Sequence, residues 1–431
     1  MKKNLMRSLS LFISLLSVIS CTDDIDDNKE TDRDDIAAEF VYYPSKMEIT
    51  TEGNRKITGK TKADYVNCTI KIDSDFNNWD YEGTGKIRGR GNSTWAWYPK
   101  KPYRIKLDVK AEILGLGSER DWVLLANYRD PTHAMNCFAF NYGNIENMPY
   151  TNHSRYVEVT LNGDYIGVYL LTEQIEQGKK RVNIDDNEGL LLSLDLDDGP
   201  GLSPDESDNF FSKYYRLPVC VKYPEDITSE KLNAVKEIFA QLEFAVKNSS
   251  FEEIESMIDI ESFIKYMILQ EIVQNVEINA PRSVFLYKNK DEKWTMGPLW
   301  DFDAGFDFDW STMYTGHDYF GNYKELTMGY NPVIHGNQNY ISPFFTDLFN
   351  HKEFVSKYKM QWSIISNKVI EEYWTETNKY LNACSEALDR DAKRWPIGKN
   401  RKIEITKMRS WLQLRTLFLN NIVKNYPDGT K

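Results

Sequence analysis

The feature that most restricts how this chain can fold is a stretch in which carboxylates alternate with large aromatic side chains. It covers residues 293–310, reads KWTMGPLWDFDAGFDFDW, and begins with the pattern of a β-strand. Its four carboxylates belong to Asp301, Asp303, Asp307 and Asp309. Aromatic side chains anchor such a segment in a core, whereas crowded carboxylates repel one another unless a divalent cation or basic side chains lie among them. We therefore predict a strand that ends at a charged site; an acidic turn that merely caps a buried strand is the alternative.

Length and charge limit the classes of partner. The 431 residues are enough for one large domain or two lobes. The chain carries 53 Lys and Arg against 65 Asp and Glu, a formal net charge of −12. This balance argues against duplex nucleic acid or an anionic membrane surface as the main partner. The 26 Tyr and 11 Trp are more typical of core packing than of sugar-binding platforms.

The N-terminus reads as a targeting segment. A basic start is followed by an apolar run, Leu11 to Ile19, that is too short to span a bilayer. The run closes with a cysteine in a pattern that resembles a bacterial lipobox, which implies cleavage of residues 1–20 and lipidation of Cys21. Residues 21–36 are acidic and polar and predict a disordered tether.

This segment predicts that the protein is located in the cell envelope. Acidic residues behind the cysteine are similar to the surface-export signal of Bacteroidetes lipoproteins, which implies a lipid anchor in the outer membrane. The anchor would be the protein's one contact with the membrane, and the periplasmic and exterior faces both stay open. A plain signal peptide with an incidental cysteine is the alternative.

The four cysteines that follow Cys21 in the sequence show no metal-binding pattern. They are widely spaced and form neither a zinc motif nor a CxxC pair. Disulfides and buried thiols are both compatible with this spacing. The residues concerned are Cys68, Cys137, Cys220 and Cys384.

A basic island interrupts the otherwise acidic chain at residues 86–108, which read KIRGRGNSTWAWYPKKPYRIKLD. Gly89 and Gly91 allow backbone N–H groups to approach phosphate oxygens, and Tyr103 to Leu107 alternates like a strand. The island predicts an anion site, and a solvated basic strand is the alternative. Its cations are Arg88, Arg90, Lys100, Lys101, Arg104 and Lys106.

The clearest local structure is a β-hairpin at residues 155–176. Two alternating apolar runs flank Asn162-Gly163, the dipeptide that a type I′ turn prefers. The second run ends at Glu173, which either caps a helix or pairs with a basic side chain such as Lys106. Apolar periodicity also predicts helices at 229–248 and at about 260–273, and a mainly helical region from about residue 342 onward.

A polar loop precedes the acidic stretch. It contains Asn275, Glu277, Asn279 and Arg282, and a predicted hairpin connects it to the aspartates. A polar loop, a hairpin and a metal-binding aspartate follow one another in this order in protein kinases. The order indicates that the loop and the aspartates lie at the same edge of the fold.

These segments together resemble the CotH kinase family, named for bacterial spore-coat proteins. The resemblance is carried by RGRGNSTW, YPKKPYRIKL, DWVLLANYRDPTHAMN, VEVTLNGDYIGVYLLTEQIE, VKYPE, QNVEINAPRSVFLYKN and GPLWDFDAGF, over about residues 86–310. It implies an α+β, atypical protein-kinase-like, two-lobed fold with a β-rich N-terminal lobe and a mainly helical C-terminal part. It also implies the use of ATP with Mg²⁺ or Mn²⁺ and the phosphorylation of protein Ser or Thr.

On this resemblance the kinase-like domain occupies residues 37–431. Residues 37–200 are expected to form the β-rich lobe, residues 201–341 the lobe that carries the site, and residues 342–431 a helical extension.

The resemblance assigns roles residue by residue. Asp301 falls at the metal-binding aspartate, and Asp303 lies beside it. Glu277 takes the place of the catalytic aspartate, because the loop reads Asn-Val-Glu where the family usually has Asn-x-Asp. The extra methylene moves the carboxylate by about 1.5 Å, which affects near-attack geometry. Asp307 also stands where glycine is common.

The nucleotide would be bound by the basic island. Lys106 corresponds to the strand lysine that neutralises phosphates, and Glu173 is its candidate partner. Arg88 and Arg90 would balance further phosphate charge.

Three functions fit these residues. The first is a cell-envelope kinase that transfers the γ-phosphate of ATP to protein Ser or Thr. Since ATP is scarce outside the inner membrane, the second is a non-catalytic, kinase-folded surface lipoprotein that binds a glycan or a partner protein. The third, transfer of another phosphate-containing group such as a nucleotidyl moiety, uses the same residues.

Overall fold

The computed structural model describes residues 41–75, 77–201, 207–314, 317–328, 332 and 341–430. These residues belong to one compact unit that extends from Phe40 to Lys431. The leader, Cys21 and the acidic tether lie outside the described residues, so the signal, lipidation and tether assignments stay predictions. Among the described helices, none combines the length and the apolar character needed to cross a membrane.

The N-terminal third of the described chain forms a β-barrel. Its strands are β1 (Ser45–Thr51), β2 (Val66–Asp73), β3 (Tyr81–Gly89), β4 (Tyr103–Ile113), β5 (Leu116–Leu125), β6 (Ser154–Leu161) and β7 (Asp164–Glu173). Within the described residues these seven strands close in the order β1-β2-β3-β4-β5-β7-β6. Neighbouring strands are antiparallel except β1 and β6, whose parallel pairing completes the barrel.

Alternation along the strands separates an apolar interior from a charged exterior. Ile87 and Ile105 face each other and are buried in the barrel core with Trp122. The residues between these positions point outward, because successive side chains of a strand lie on opposite faces. On β3 and β4 this places Lys86 opposite Lys106 and Arg88 opposite Arg104. We call these four cations the basic face.

The predicted hairpin is confirmed. Strands β6 and β7 meet at Asn162 and Gly163, whose φ angles of 51° and 80° are the two positive values that a type I′ turn requires. The strand expected at Tyr103 to Leu107 is the first half of β4.

A second sheet and a set of helices follow the barrel. The sheet contains β8 (Leu190–Leu194), β9 (Asn209–Phe211), β10 (Pro218–Tyr223), β11 (Val284–Lys288) and β12 (Thr295–Met296), in the order β12-β11-β8-β10-β9 among the described residues. The helices are α1 (Ser93–Trp97), α2 (Met135–Ile145), α3 (Ser229–Asn248), α4 (Phe251–Met257), α5 (Ile260–Ile272), α6 (Phe344–Asp347), α7 (Lys352–Ile365), α8 (Thr375–Ala383), α9 (Ser385–Arg394) and α10 (Arg401–Lys424). A π-helical turn, Val369–Trp374, precedes α8.

The helices predicted at 229–248, at about 260–273 and from about residue 342 onward are confirmed. Helix α3 begins after Thr228, whose side chain accepts a hydrogen bond from the N–H of Lys231. Helix α2 begins at Met135, and Pro131 lies in the preceding turn. The Asp130 carboxylate holds that turn, because it accepts hydrogen bonds from the N–H groups of Thr132 and Met135.

The broad fold prediction is confirmed, since the chain combines a β-rich N-terminal region with a helical C-terminal part. The finer prediction of a kinase-like, two-lobed arrangement is not confirmed, because the β-rich region closes into a barrel. A large hydrophobic core joins the second sheet, α2 and the C-terminal helices.

The alternative left open for the cysteines is decided in favour of buried thiols. Cys68, Cys137, Cys220 and Cys384 are all buried and free. Burial raises the pKa of Cys68 to about 12 and that of Cys220 to about 11, so both stay protonated and unreactive at neutral pH.

Candidate active-site cleft

The polar loop forms the first wall of the candidate site, at residues 274–279 after α5. The Asn275 side chain accepts a hydrogen bond from the N–H of Glu277 at 3.2 Å and starts a short 3₁₀ turn. The Asn279 side chain donates to the carbonyl of Thr327 at 3.2 Å. Glu277 lies between these two anchors and is half-buried. Burial and the neighbouring Asp301 raise the pKa of Glu277 to about 8, against the opposing effect of Arg129.

Asp301 lies at the centre of the site. Trp300 and Phe302 on either side are buried, whereas the Asp301 side chain is exposed. The φ angle of Asp301 is 65°, a left-handed conformation that aspartate adopts more readily than most residues. The Ser283 hydroxyl donates to the carboxylate at 3.4 Å.

The carboxylate of Asp301 is open to solvent on one side, but the surrounding protein still limits its hydration. This desolvation and the adjacent Asp303 raise the pKa of Asp301 to about 7, although Arg129 and Arg90 oppose the change. Asp301, Asp303 and Glu277 therefore act as one set of mutually repelling carboxylates. We call these three residues the acidic floor.

Asp303 is held by a buried arginine that we did not identify from the sequence. Arg129 is 5% exposed and forms an ion pair with the Asp303 carboxylate. Its guanidinium lies 4.9 Å from the ring centroid of Phe308 and 5.4 Å from that of Trp310. Asp303 thus has a fixed counter-charge on one side, and the pair orients it toward Asp301.

The other two aspartates of the stretch do not join the floor. Asp307 accepts hydrogen bonds from the Gln274 side chain at 3.3 Å and from the N–H of Asn322. Asp309 is exposed and caps a 3₁₀ turn through the N–H of Ser311 at 2.9 Å. The structure thus brings Asp301 and Asp303 together, whereas Asp309 caps a local turn and Asp307 is held by the two hydrogen bonds above. The charged site itself stays a prediction.

The cations that act on the acidic floor are Arg129, Arg282 and Arg90, and Arg90 directly follows barrel strand β3. The guanidinium of Arg90 stacks at 5.3 Å from the ring centroid of Trp300, next to Asp301. Burial lowers the pKa of Arg90 to about 10, and the charge of Asp301 opposes this change. The guanidinium of Arg88 donates to the carbonyl of Gly89 at 2.8 Å. Arg90 is thus the cation of the predicted island that links the basic face with the floor.

Lys106 and Arg104 share one carboxylate. The ammonium of Lys106 lies 2.9 Å from Asp121, and the guanidinium of Arg104 lies 2.7 Å from the same residue. Glu176 is close enough to interact with this group electrostatically; burial and Asp121 raise the pKa of Glu176 to about 7. Asp121 and Glu176 are the carboxylates around the predicted lysine, and we identified neither from the sequence.

The candidate pair of Lys106 and Glu173 is not formed. The Glu173 carboxylate instead accepts a hydrogen bond from the N–H of His153 at 2.7 Å. The reason is strand register: Glu173 pairs with Trp122, which faces the barrel interior, whereas Lys106 pairs with Asp121 on the exterior. Adjacent residues of a strand point to opposite faces, so the two side chains are on different sides of the sheet.

Two lysines of the basic island, Lys100 and Lys101, make contacts that stabilise the fold. Lys100 is 1% exposed, lies 2.7 Å from the Asp391 carboxylate on α9 and donates to the carbonyl of Val168. Lys101 donates to the carbonyl of Trp95 at 2.5 Å. The prediction that all six cations surround an anion site is therefore wrong for Lys100.

The acidic floor has the donor chemistry of a hard divalent cation. Mg²⁺ is usually bound through one or two carboxylates, with substrate phosphates and water completing its shell. Asp301, which is exposed and has Asp303 beside it, matches that donor set, and a cation would offset the desolvation and repulsion that raise the pKa values of Asp301 and Glu277. In the described part of the chain, no group of three or more His, Cys, Asp and Glu is arranged to hold a metal.

A comparison with curated proteins found no match. A family model described as CotH kinase protein matches residues 87–419, a range that contains three of the four cations of the basic face, the acidic floor and most of the C-terminal helices. Membership suggests a kinase-like protein and, in general terms, the use of ATP with a divalent metal. Because the match covers most of its length, the chain belongs to the CotH kinase family.

Proposed function

We propose that this protein is a cell-envelope atypical kinase that transfers the γ-phosphate of ATP to protein Ser or Thr with Mg²⁺ or Mn²⁺. The observation that carries the proposal is the approach of Arg90 and Arg129 to the acidic floor. A metal–nucleotide complex has both signs of charge, so it needs carboxylates for the metal and cations for the phosphates at one place.

The carboxylates have separate roles in this proposal. Asp301 holds the metal with the help of Asp303, which Arg129 keeps in orientation. When bound, the metal neutralises charge on the phosphate oxygens. Phosphoryl transfer depends on positioning and charge neutralisation more than on covalent chemistry, so these fixed side chains supply most of what the reaction needs.

The cations bind the nucleotide. Arg90 lies beside Asp301, and Arg88 and Lys106 extend the positive surface along β3 and β4. Like charges lie directly opposite on these strands and Asp121 compensates only Arg104 and Lys106, so a bound phosphate would add counter-charge to a face that is partly neutralised. Glu173 has no role here, since its carboxylate is occupied by His153.

Glu277 is the proposed acceptor of the substrate hydroxyl proton. A general base works best when its pKa is near the working pH. The pKa of about 8 meets this condition, and a bound cation would lower it further toward neutrality. The Asn275 side chain accepts a hydrogen bond from the N–H of Glu277. This bond fixes the position of the Glu277 backbone, from which the carboxylate extends.

Calorimetric titration with ATP, in the presence of Mg²⁺ or Mn²⁺, tests the proposal. We expect metal-dependent binding to the wild-type chain and none to Asp301→Asn. The exposed cap Asp309 supplies the matched control, since Asp309→Asn removes the same charge nearby and should bind normally. Absence of binding with both metals would remove the kinase proposal and with it the nucleotidyl alternative.

An exposed aromatic group favours a second function, the binding of a glycan or a partner protein. Trp97 is 46% exposed and Tyr314 is 64% exposed, and their ring centroids are 5.5 Å apart. Trp310, 40% exposed, lies against Arg129 at the floor. Exposed aromatic side chains of this size are typical contact residues. If Trp97→Ala abolished binding to isolated envelope material while Glu277→Gln did not, the binding function would replace the catalytic one.

A further inference from the structure

A fully buried ion pair joins the C-terminal helix α10 to α5. Arg415 and Glu271 are both 0% exposed, and a guanidinium nitrogen of Arg415 donates to the Glu271 carboxylate. Removing one partner of such a pair leaves an uncompensated buried charge, which strongly destabilises a protein.

The pair holds the end of α5, where the polar loop begins. The backbone carbonyl of Glu271 accepts hydrogen bonds from Nε of Arg415 at 3.1 Å and from Nη2 at 2.7 Å. The same carbonyl accepts the N–H of Gln274 at 3.1 Å. Gln274 is the first residue of the loop that carries Glu277, so Arg415 contacts the atom from which the loop departs.

The same pair also holds the segment that supports the far end of the loop. Arg415 Nη1 donates to the carbonyls of Tyr323 at 2.8 Å and Glu325 at 2.6 Å. The Glu271 carboxylate accepts the N–H groups of Thr327 at 3.1 Å and Met328 at 2.6 Å. The carbonyl of Thr327 in turn accepts the hydrogen bond from Asn279. Both ends of residues 274–279 therefore depend on one ion pair.

We propose that Arg415 is a positioning residue, through which helix α10 sets the conformation of the loop that carries Glu277. The coupling of α10 to the loop follows from the contacts alone, whereas its effect on phosphoryl transfer rests on the proposed function. The C-terminal helices thus do more than complete the core.

The test replaces both charges together, because paired apolar substitution of a buried ion pair is usually tolerated. In Glu271→Met/Arg415→Met, hydrogen–deuterium exchange of residues 274–279 should accelerate at least tenfold. The matched control is Lys100→Met/Asp391→Asn, which removes another buried pair, at 2.7 Å, between the segment before β4 and helix α9. It should lower the thermal stability but leave exchange of the loop unchanged.

A second variant covers the case in which the double variant does not fold. Arg415→Lys keeps the charge beside Glu271 but lacks the donors for the carbonyls of Tyr323 and Glu325, so loop exchange should rise by a smaller factor. If Arg415→Lys leaves loop exchange unchanged, the proposal is wrong. Equal acceleration in the Glu271/Arg415 and Lys100/Asp391 variants would also overturn it, because it would indicate general loosening.

Steady-state kinetics of the Arg415 variants test whether the loop conformation affects the proposed phosphoryl transfer. With active protein, the Arg415 variants should lower kcat while the KM for ATP stays within about twofold, because the basic face is untouched. An equal change in both parameters would contradict positioning of Glu277. If the wild-type chain binds no ATP, the proposed kinase function fails, but the exchange experiment still decides whether α10 controls the loop.

Discussion

The acidic floor and the basic face are two concentrations of like charge that differ in how the protein compensates them. On the basic face, Asp121 lies within 3 Å of both Arg104 and Lys106. On the floor, Arg129 is committed to Asp303, and the pKa values of Asp301 and Glu277 rise to about 7 and 8. The basic face therefore has an internal counter-charge at Asp121, whereas Arg90 and Arg129 leave the pKa values of Asp301 and Glu277 raised. On the proposed function, the floor is thus the group that responds more strongly to a metal ion.

The largest expected effect concerns the floor. Asp301→Asn removes the carboxylate that we assign to the metal, so metal-dependent turnover should fall by roughly 10²–10³-fold, as when other electrostatic groups of active sites are removed. The thermal stability should stay equal or rise, because a repelling carboxylate is lost. Thermal unfolding and turnover measured on the same sample check both. A strong loss of stability would mean that Asp301 stabilises the folded protein. It would contradict the contrast between the acidic floor and the basic face.

Glu277→Gln should lower kcat by roughly 10²–10⁴-fold, the usual contribution of a general base. In the wild-type chain the rate should rise with pH, because the base must lose its proton, and the rising limb should lie at or below the pKa of about 8. A bound cation moves the limb to lower pH. The pH–rate profile of Glu277→Gln should lack this limb, and a limb that persists would assign the proton transfer to another group.

Lys106→Met tests the basic face and should act on nucleotide affinity. Loss of one charged contact to phosphate is worth about 1.5–3 kcal/mol, so we expect ATP to bind roughly tenfold or more weakly. The control is Lys71→Met on β2, which removes an exposed lysine of the same barrel that pairs with Asp73. If Lys106→Met binds ATP as tightly as the wild type, the basic face is not the phosphate site.

The smallest expected effect concerns Glu176, beside the basic face. Its pKa rises from an ordinary 4.5 to about 7, so the stability that its protonated form contributes is lost as the pH rises between these values. Glu176→Gln cannot ionise. The stability of this variant relative to the wild type should therefore increase from pH 4.5 to 7 and stay constant above. Thermal unfolding across this range measures it, and a difference that does not depend on pH would contradict the assignment.

Local elements were predictable because their signals are local. The turn at Asn162-Gly163 needs two positive φ angles, and helix α3 needs an apolar face and a cap at Thr228. The closure of the barrel was not predictable in this way, because β1 pairs in parallel with β6 more than 100 residues later. The same limit applies to Arg129 and Asp303, which are 174 residues apart in sequence.

The error at Lys106 has a geometric origin. Both Glu173 and Asp121 were available as partners along the chain, and the strand pattern alone does not give the register between strands. A shift of one residue reverses the face on which a side chain lies. The observed register placed Asp121 outside with Lys106 and Glu173 beside the interior Trp122.

The sequence by itself determined which segments become strands and helices and in which stretches the carboxylates and cations accumulate. Residue spacing is enough for this, since the periods of strands and helices decide which side chains share a face. Only the tertiary structure decided which charges meet: Asp301 with Arg90, Asp303 with Arg129, and Glu271 with Arg415. Electrostatic interaction and hydrogen bonding depend on distance in space, and packing of the barrel against the helices sets those distances.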